Sequence, residues 1–135
     1  MDLGLKAKRA IVTGGTRGIG AAIVNLLVEE GCHVAFCARD ETQVREKVDA
    51  LSSAGATVYG AVCDVSDPEA LVRWMDEATK SLGGLDIFIP NVSGGSHSGE
   101  EAWQLAYNVD LMATVRGCET ALNHMSEGGS IVVIS

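Results

Sequence analysis

The stretch TGGTRGIG at residues 13–20 decides the fold. Glycines stand at 14, 18 and 20, with Gly15 beside the first. A short apolar run, Arg9 to Thr13, leads into it. An apolar-periodic segment, Ile19 to Glu30, leads out, with Ile23, Leu26 and Leu27 at helical spacing. A strand, a glycine turn and a helix in direct succession aim the free amides and positive dipole end of the helix into the turn, where a phosphate can rest. Gly14 permits the tight turn, Gly18 leaves room for a pyrophosphate, and Gly20 lets the helix pack closely on the strand. The spacing departs from G-x-G-x-x-G: the gap of three comes first and the gap of one second.

Outward from this turn the chain keeps alternating. HVAFCA (33–38) has the length of a second strand, and Glu41 to Ser53 reads as a helix with a charged face. TVYGAVC (57–63) is a third strand. Ser66-Asp67-Pro68-Glu69 carries cap residues and a first-turn proline, so a helix follows to Leu82, stopped by Gly83-Gly84. LDIFIP (85–90) is a fourth strand and NVSGGSHSG (91–99) a loop. Glu100 to Met125 is one long helical segment, and Glu127-Gly128-Gly129 turns into a fifth strand, SIVVIS (130–135). Uninterrupted apolar strands alternating with helices predict a doubly wound α/β domain, its parallel sheet covered on both faces. No repeat or linker divides residues 1–135, which read as a single domain.

The totals narrow the function. The 135 residues are 47% hydrophobic and 21% charged, with a net charge of −8. That balance argues against nucleic acid and anionic membrane as partners. No apolar run is long enough to span a bilayer, and MDLGLKAKRAIV lacks a signal-peptide layout. Cys32, Cys37, Cys63 and Cys118 form no C-x-x-C, and His33, His97 and His124 show no metal-ligand spacing with them. They read as buried thiols of a reduced, cytoplasmic chain without a metal.

TGGTRGIG resembles the T-G-x-x-x-G-I-G signature of the short-chain dehydrogenase/reductase family, in particular its 3-oxoacyl reductase-like members. CDVSDPE (63–69), GGLDIFIPNVSG (83–94), AWQLAYNVDLMATV (102–115) and GGSIVVIS (128–135) resemble the family's later segments in order. The resemblance implies a Rossmann-type sheet truncated after the fifth strand. It also implies a nicotinamide cofactor and hydride transfer with a small carbonyl or alcohol substrate. By the same resemblance Gly14, Thr16, Arg17, Gly18, Ile19 and Gly20 would hold the cofactor's phosphates. Asp64 and Val65 would lie by the adenine, and Asn91, Val92 and Ser93 by the nicotinamide ribose. An acidic residue after the second strand selects NAD, whereas an arginine accommodates the 2′-phosphate of NADP. Here Ala38 occupies the usual aspartate position and Arg39 follows, with Arg17 at the same end. NADP (NADPH) is therefore expected over NAD, with Asp40 as a mild counter-signal.

The chain departs from the family in three places. Pro90 replaces the first asparagine of N-N-A-G, and Val92-Ser93 replace its Ala-Gly. Asp110, seven residues on from Trp103, stands where the family has an asparagine serving a proton relay; Asn108 is off register. The family's Tyr-x-x-x-Lys pair is missing, since Tyr59 is followed four residues on by Cys63 and Tyr107 by Leu111. Two readings stay open. One is the cofactor-binding half of a reductase, inactive alone, whose partner is a second copy or the missing C-terminal half. The other is a non-catalytic nucleotide-binding or assembly module. In either, the edge left by SIVVIS and the apolar Leu105, Leu111, Met112, Val115 and Leu122 predict self-association.

Overall fold

The computed structural model describes residues 2–95 and 97–135. Met1 of the N-terminal segment and Ser96 of the 91–99 loop, both included in the readings above, lie outside them. Among the described residues the first seven elements alternate as the sequence predicts: β1 (Arg9–Thr13), α1 (Gly18–Glu29), β2 (His33–Ala38), α2 (Glu41–Ser53), β3 (Val58–Val62), α3 (Pro68–Leu82) and β4 (Leu85–Ile89). Then come α4 (Glu100–Ala106), a π-helical turn (Tyr107–Met112), α5 (Ala113–His124) and β5 (Met125–Ile131). The strands form one parallel sheet in the order β3-β2-β1-β4-β5. This is a Rossmann-type arrangement, with the chain reversing its winding direction between β1 and β4.

Period-two alternation divides the core. Ala10 and Val12 of β1 join Val24, Leu27, Val34, Phe36 and Val44 under α1 and α2. Ile11 faces the other way, with Leu71, Trp74, Met75, Phe88 and Ala121 under α3 and α5. The helix boundaries follow local chemistry. Asp40 caps α2 by accepting from the Gln43 amide, and Asp67 caps α3 by accepting from the Ala70 amide. Gly83, at φ +81°, ends α3 in the left-handed conformation, where its amide donates to the Thr79 carbonyl.

Three expectations change. α1 turns Val24 and Leu27 inward, but Leu26 is 60% exposed, so the apolar stripe is narrower than its sequence suggests. The long helix ends at His124 rather than Met125 and carries the π turn at its middle. Finally, the fifth strand begins early: Met125 pairs with Leu85, the chain bulges, and Ser130 and Ile131 resume opposite Ile87 and Phe88. Val132 and Ile134 then donate to the Phe88 and Pro90 carbonyls, so the ladder runs on through most of 130–135. A glycine turn at 127–129 interrupts pairing without ending it, because both flanks keep their partners on β4.

Candidate functional site

The site grows from the turn between β1 and α1. The amides of Gly14 and Gly15 both donate to the Cys37 carbonyl, at 2.9 and 3.0 Å, tying the turn to the end of β2. From the other side Asn91 closes on it. Its amide donates to the Thr13 hydroxyl at 3.0 Å and its Nδ2 to the Gly14 carbonyl at 3.1 Å. Gly20 explains itself here, because a Cβ on it would run into the Gly14 carbonyl and Asn91 Nδ2. It is the turn and Asn91, not the strand, that demand glycine at this position. Gly15, which the sequence offers only as an extra, lies against Phe36, whose Cβ would stand 2.7 Å from an added Cβ. Gly18 is the opposite case: at φ +56° it has no atom within 4 Å of an added Cβ. α1 starts there with no side-chain cap among the described residues, leaving its first-turn amides open.

A cleft of about 610 Å³ opens beside this turn at the carboxyl ends of the strands. Ala38 and Arg39 form one wall with Asp64 and Val65. Asp40, the sequence's counter-signal, is engaged as the α2 cap at 3.0 Å from the Gln43 amide. The Thr16 hydroxyl donates to Gln43 Oε1 at 3.1 Å, joining the turn to the same helix. The Asp64 carboxylate accepts from the Ser66 hydroxyl at 2.7 Å and the Ser66 amide at 3.0 Å, both on Oδ1. These bonds, hydroxyl first, hold its pKa below the usual carboxylate range, and the charge of Arg39 adds to them.

At the far end Asn91, Val92, Ser93 and Gly94 face Leu105 and Val109. Asp110, in the π turn, accepts from the Gly94 amide at 2.6 Å and the Ser93 hydroxyl at 3.1 Å. Asn108 is turned elsewhere and accepts from Gln104 at 3.5 Å, a weak contact. The residue that reaches the loop is thus the aspartate counted from Trp103, while Trp103 itself is 76% exposed.

The structure therefore brings Gly14, Thr16 and Arg17 together with Arg39, Asp64 and Val65, and with Asn91, Val92 and Ser93, around one cleft. Gly18, Ile19 and Gly20 begin the helix alongside without lining the cleft, and Ile19 is 63% exposed. Sequence reasoning missed Gly15, Thr13, Gln43 and Cys63. Thr13 and Gly15 stand in the opening motif and Cys63 heads the CDVSDPE segment; Gln43 had no signal. The residues present fit a dinucleotide, since Arg17 and Arg39 line one cleft and the uncapped start of α1, with the open Gly18, lies next to it. Among the described residues no group of three or more His, Cys, Asp or Glu could hold a metal ion.

A nucleotide-binding α/β domain is the class that this sheet and turn define. The family model described as short chain dehydrogenase matches residues 8–135, and the chain belongs to that family of oxidoreductases. It is 33% identical to isoepoxydon dehydrogenase patN of Penicillium expansum, over 100% of this chain and 54% of that protein. A short chain dehydrogenase from Burkholderia cenocepacia, solved in complex with NADP, superposes with a TM-score of 0.88 at 32% identity; the match covers 96% of this chain and 55% of that one. One from Burkholderia phymatum, in complex with NAD, gives 0.89 at 26%, covering 96% and 49%. The chain spans about half the length of the curated relatives it matches.

Proposed function

We propose that residues 1–135 form the NADPH-binding part of an oxidoreductase that moves a hydride between nicotinamide and a small carbonyl or alcohol. The observation that carries the reading is the cleft at the β1/β4 reversal with Arg39 in its wall and Gly18 open beside it. The first-turn amides of α1 would receive the pyrophosphate, and Asp64 and Val65 would border the adenine. Arg39 would pair bidentately with the ribose 2′-phosphate, with Arg17 adding charge. Asp40 offers little opposition, because its carboxylate already caps α2. When bound, the nicotinamide supplies the hydride donor or acceptor. Asp110 would act as a positioning residue, fixing Ser93 and Gly94 along the nicotinamide end.

The relatives' roughly twofold length supports the view that the proton-transferring residues belong to sequence outside 1–135, which would then be inactive alone. Exposed Leu105, Leu111, Val115 and Leu122 support self-association, and the four free thiols suit a reducing, cytoplasmic setting. The test is titration of the full-length protein with NADPH and NADH. NADPH should bind at least tenfold more tightly, and Arg39→Ala should erase the difference. A preference unchanged by that substitution rejects the role of Arg39. An intact domain that binds neither nucleotide leaves the assembly-module reading in its place.

A further inference from the structure

Gln43 stands in the first turn of α2 and lines the cleft with Arg17 and Arg39. It is held at both ends. Its amide donates to the capping carboxylate of Asp40 at 3.0 Å, and its side-chain Oε1 accepts from the Thr16 hydroxyl at 3.1 Å. The next residue, Val44, is buried in one cluster with Phe36, the ring that lies against Gly15. This turn of α2 and the glycine turn therefore rest on the same packed support. The Gln43 side chain is half-buried, and its Nε2 has no hydrogen-bond partner among the described residues.

An amide whose oxygen is engaged has only donors left to offer. The two N–H groups on Nε2 suit the oxygens of an anion. Thr16 supports that orientation without cost, because a hydroxyl can donate or accept and so leaves the amide free to turn its nitrogen toward an anion. A further donor counts at this end of the cleft. Asp40 and Asp64 line it together with Arg39, so a phosphate there meets two carboxylates as well as the arginines.

We propose that Gln43 is a specificity-determining residue, whose Nε2 donates to the ribose 2′-phosphate of NADP beside Arg39 while the Thr16 hydroxyl holds the amide in place. The inference rests on the proposed function and adds a neutral donor to its two arginines. NAD lacks the 2′-phosphate, so Gln43 strengthens the binding of NADP alone.

The test measures NADP and NAD binding to the full-length protein by calorimetry, in the wild type, Gln43→Leu and Gln43→Glu. Gln43→Leu removes the donors without adding charge and should weaken NADP binding about tenfold, the usual worth of a hydrogen bond to a charged group, with NAD binding unchanged. Gln43→Glu keeps an acceptor for Thr16 but replaces the donors with a negative charge, and a carboxylate in a first helical turn favours the fold. Its loss for NADP should exceed that of Gln43→Leu, and the excess should shrink at high salt, where the repulsion is screened. Equal losses for both nucleotides, or none for either, overturn the role of Gln43. If one variant fails to fold, the other decides. A wild-type preference for NADP that survives both substitutions overturns this role alone. A wild type that binds neither nucleotide, or prefers NAD, overturns the proposed NADP site and the role of Gln43 with it.

Discussion

Gly18 and Gly20 are two residues apart and do different work. A methyl group at Gly20 meets the Gly14 carbonyl and Asn91, neither of which can retreat without moving the turn. Gly20→Ala is therefore expected to lower stability by about 2–3 kcal/mol, as overpacking against backbone does, measured by denaturant unfolding. At Gly18 a methyl group meets nothing, and the cost to the fold is the left-handed φ alone, about 1 kcal/mol. The new atom would stand in the space the proposed function gives to the pyrophosphate, so on that reading Gly18→Ala should weaken NADP binding at least tenfold while the protein stays folded. Equal losses of stability in the two variants would refute the distinction. The quoted motif announces both glycines, but only their neighbours separate the roles, and one of those neighbours, Asn91, lies 71 residues further along the chain.

At the scale of elements, Arg9 ties the start of β1 to that of β4. Its Nε and its own amide both donate to Asp86 Oδ2 at 2.9 Å, Nη2 reaches Oδ1 at 3.2 Å, and Nη1 donates to the Gly83 carbonyl. The Arg9 side-chain bond, the largest effect, holds Asp86 at a pKa of about 2 against an ordinary 3.8. The folded state thus favours the ionised carboxylate. Its stabilisation is present above pH ~4 and is lost as pH falls toward ~2. Allowing for solvent screening of a partly exposed pair, it contributes about 1–2 kcal/mol. Acid unfolding should show this: Asp86→Asn should lower stability at pH 7 and flatten its decline between pH 4 and 2. An unchanged acid limb would remove the pair from the account. In the sequence Asp86 reads only as part of a strand, because no local pattern reveals a partner 77 residues away.

For the whole molecule, a ligand held between β1, β2, β3 and β4 links the sheet's two halves. NADP at 100 times its dissociation constant should raise unfolding free energy by about 2.7 kcal/mol, seen as a concentration-dependent rise in Tm. The gain should shrink at high salt, because Arg17 and Arg39 are exposed and their attraction for phosphate is screened. A Tm independent of NADP would contradict the assignment of the cleft. No helix among the described residues is long and apolar enough to cross a membrane.

The amino-acid sequence by itself determined the alternation of strands and helices, the parallel class of the sheet, most element boundaries and the glycine turn that opens the first helix. Each of these is written in neighbouring residues: apolar runs, capping aspartates, a helix-opening proline and closing glycines. Only the tertiary structure decided that Gly15 must clear Phe36, that Asn91 latches the turn, and that Asp110 reaches the loop through a π turn. It also decided that β5 pairs on both sides of its bulge. These depend on which distant segments become neighbours in the sheet, and side chains brought together by strand order leave no periodic mark along the chain.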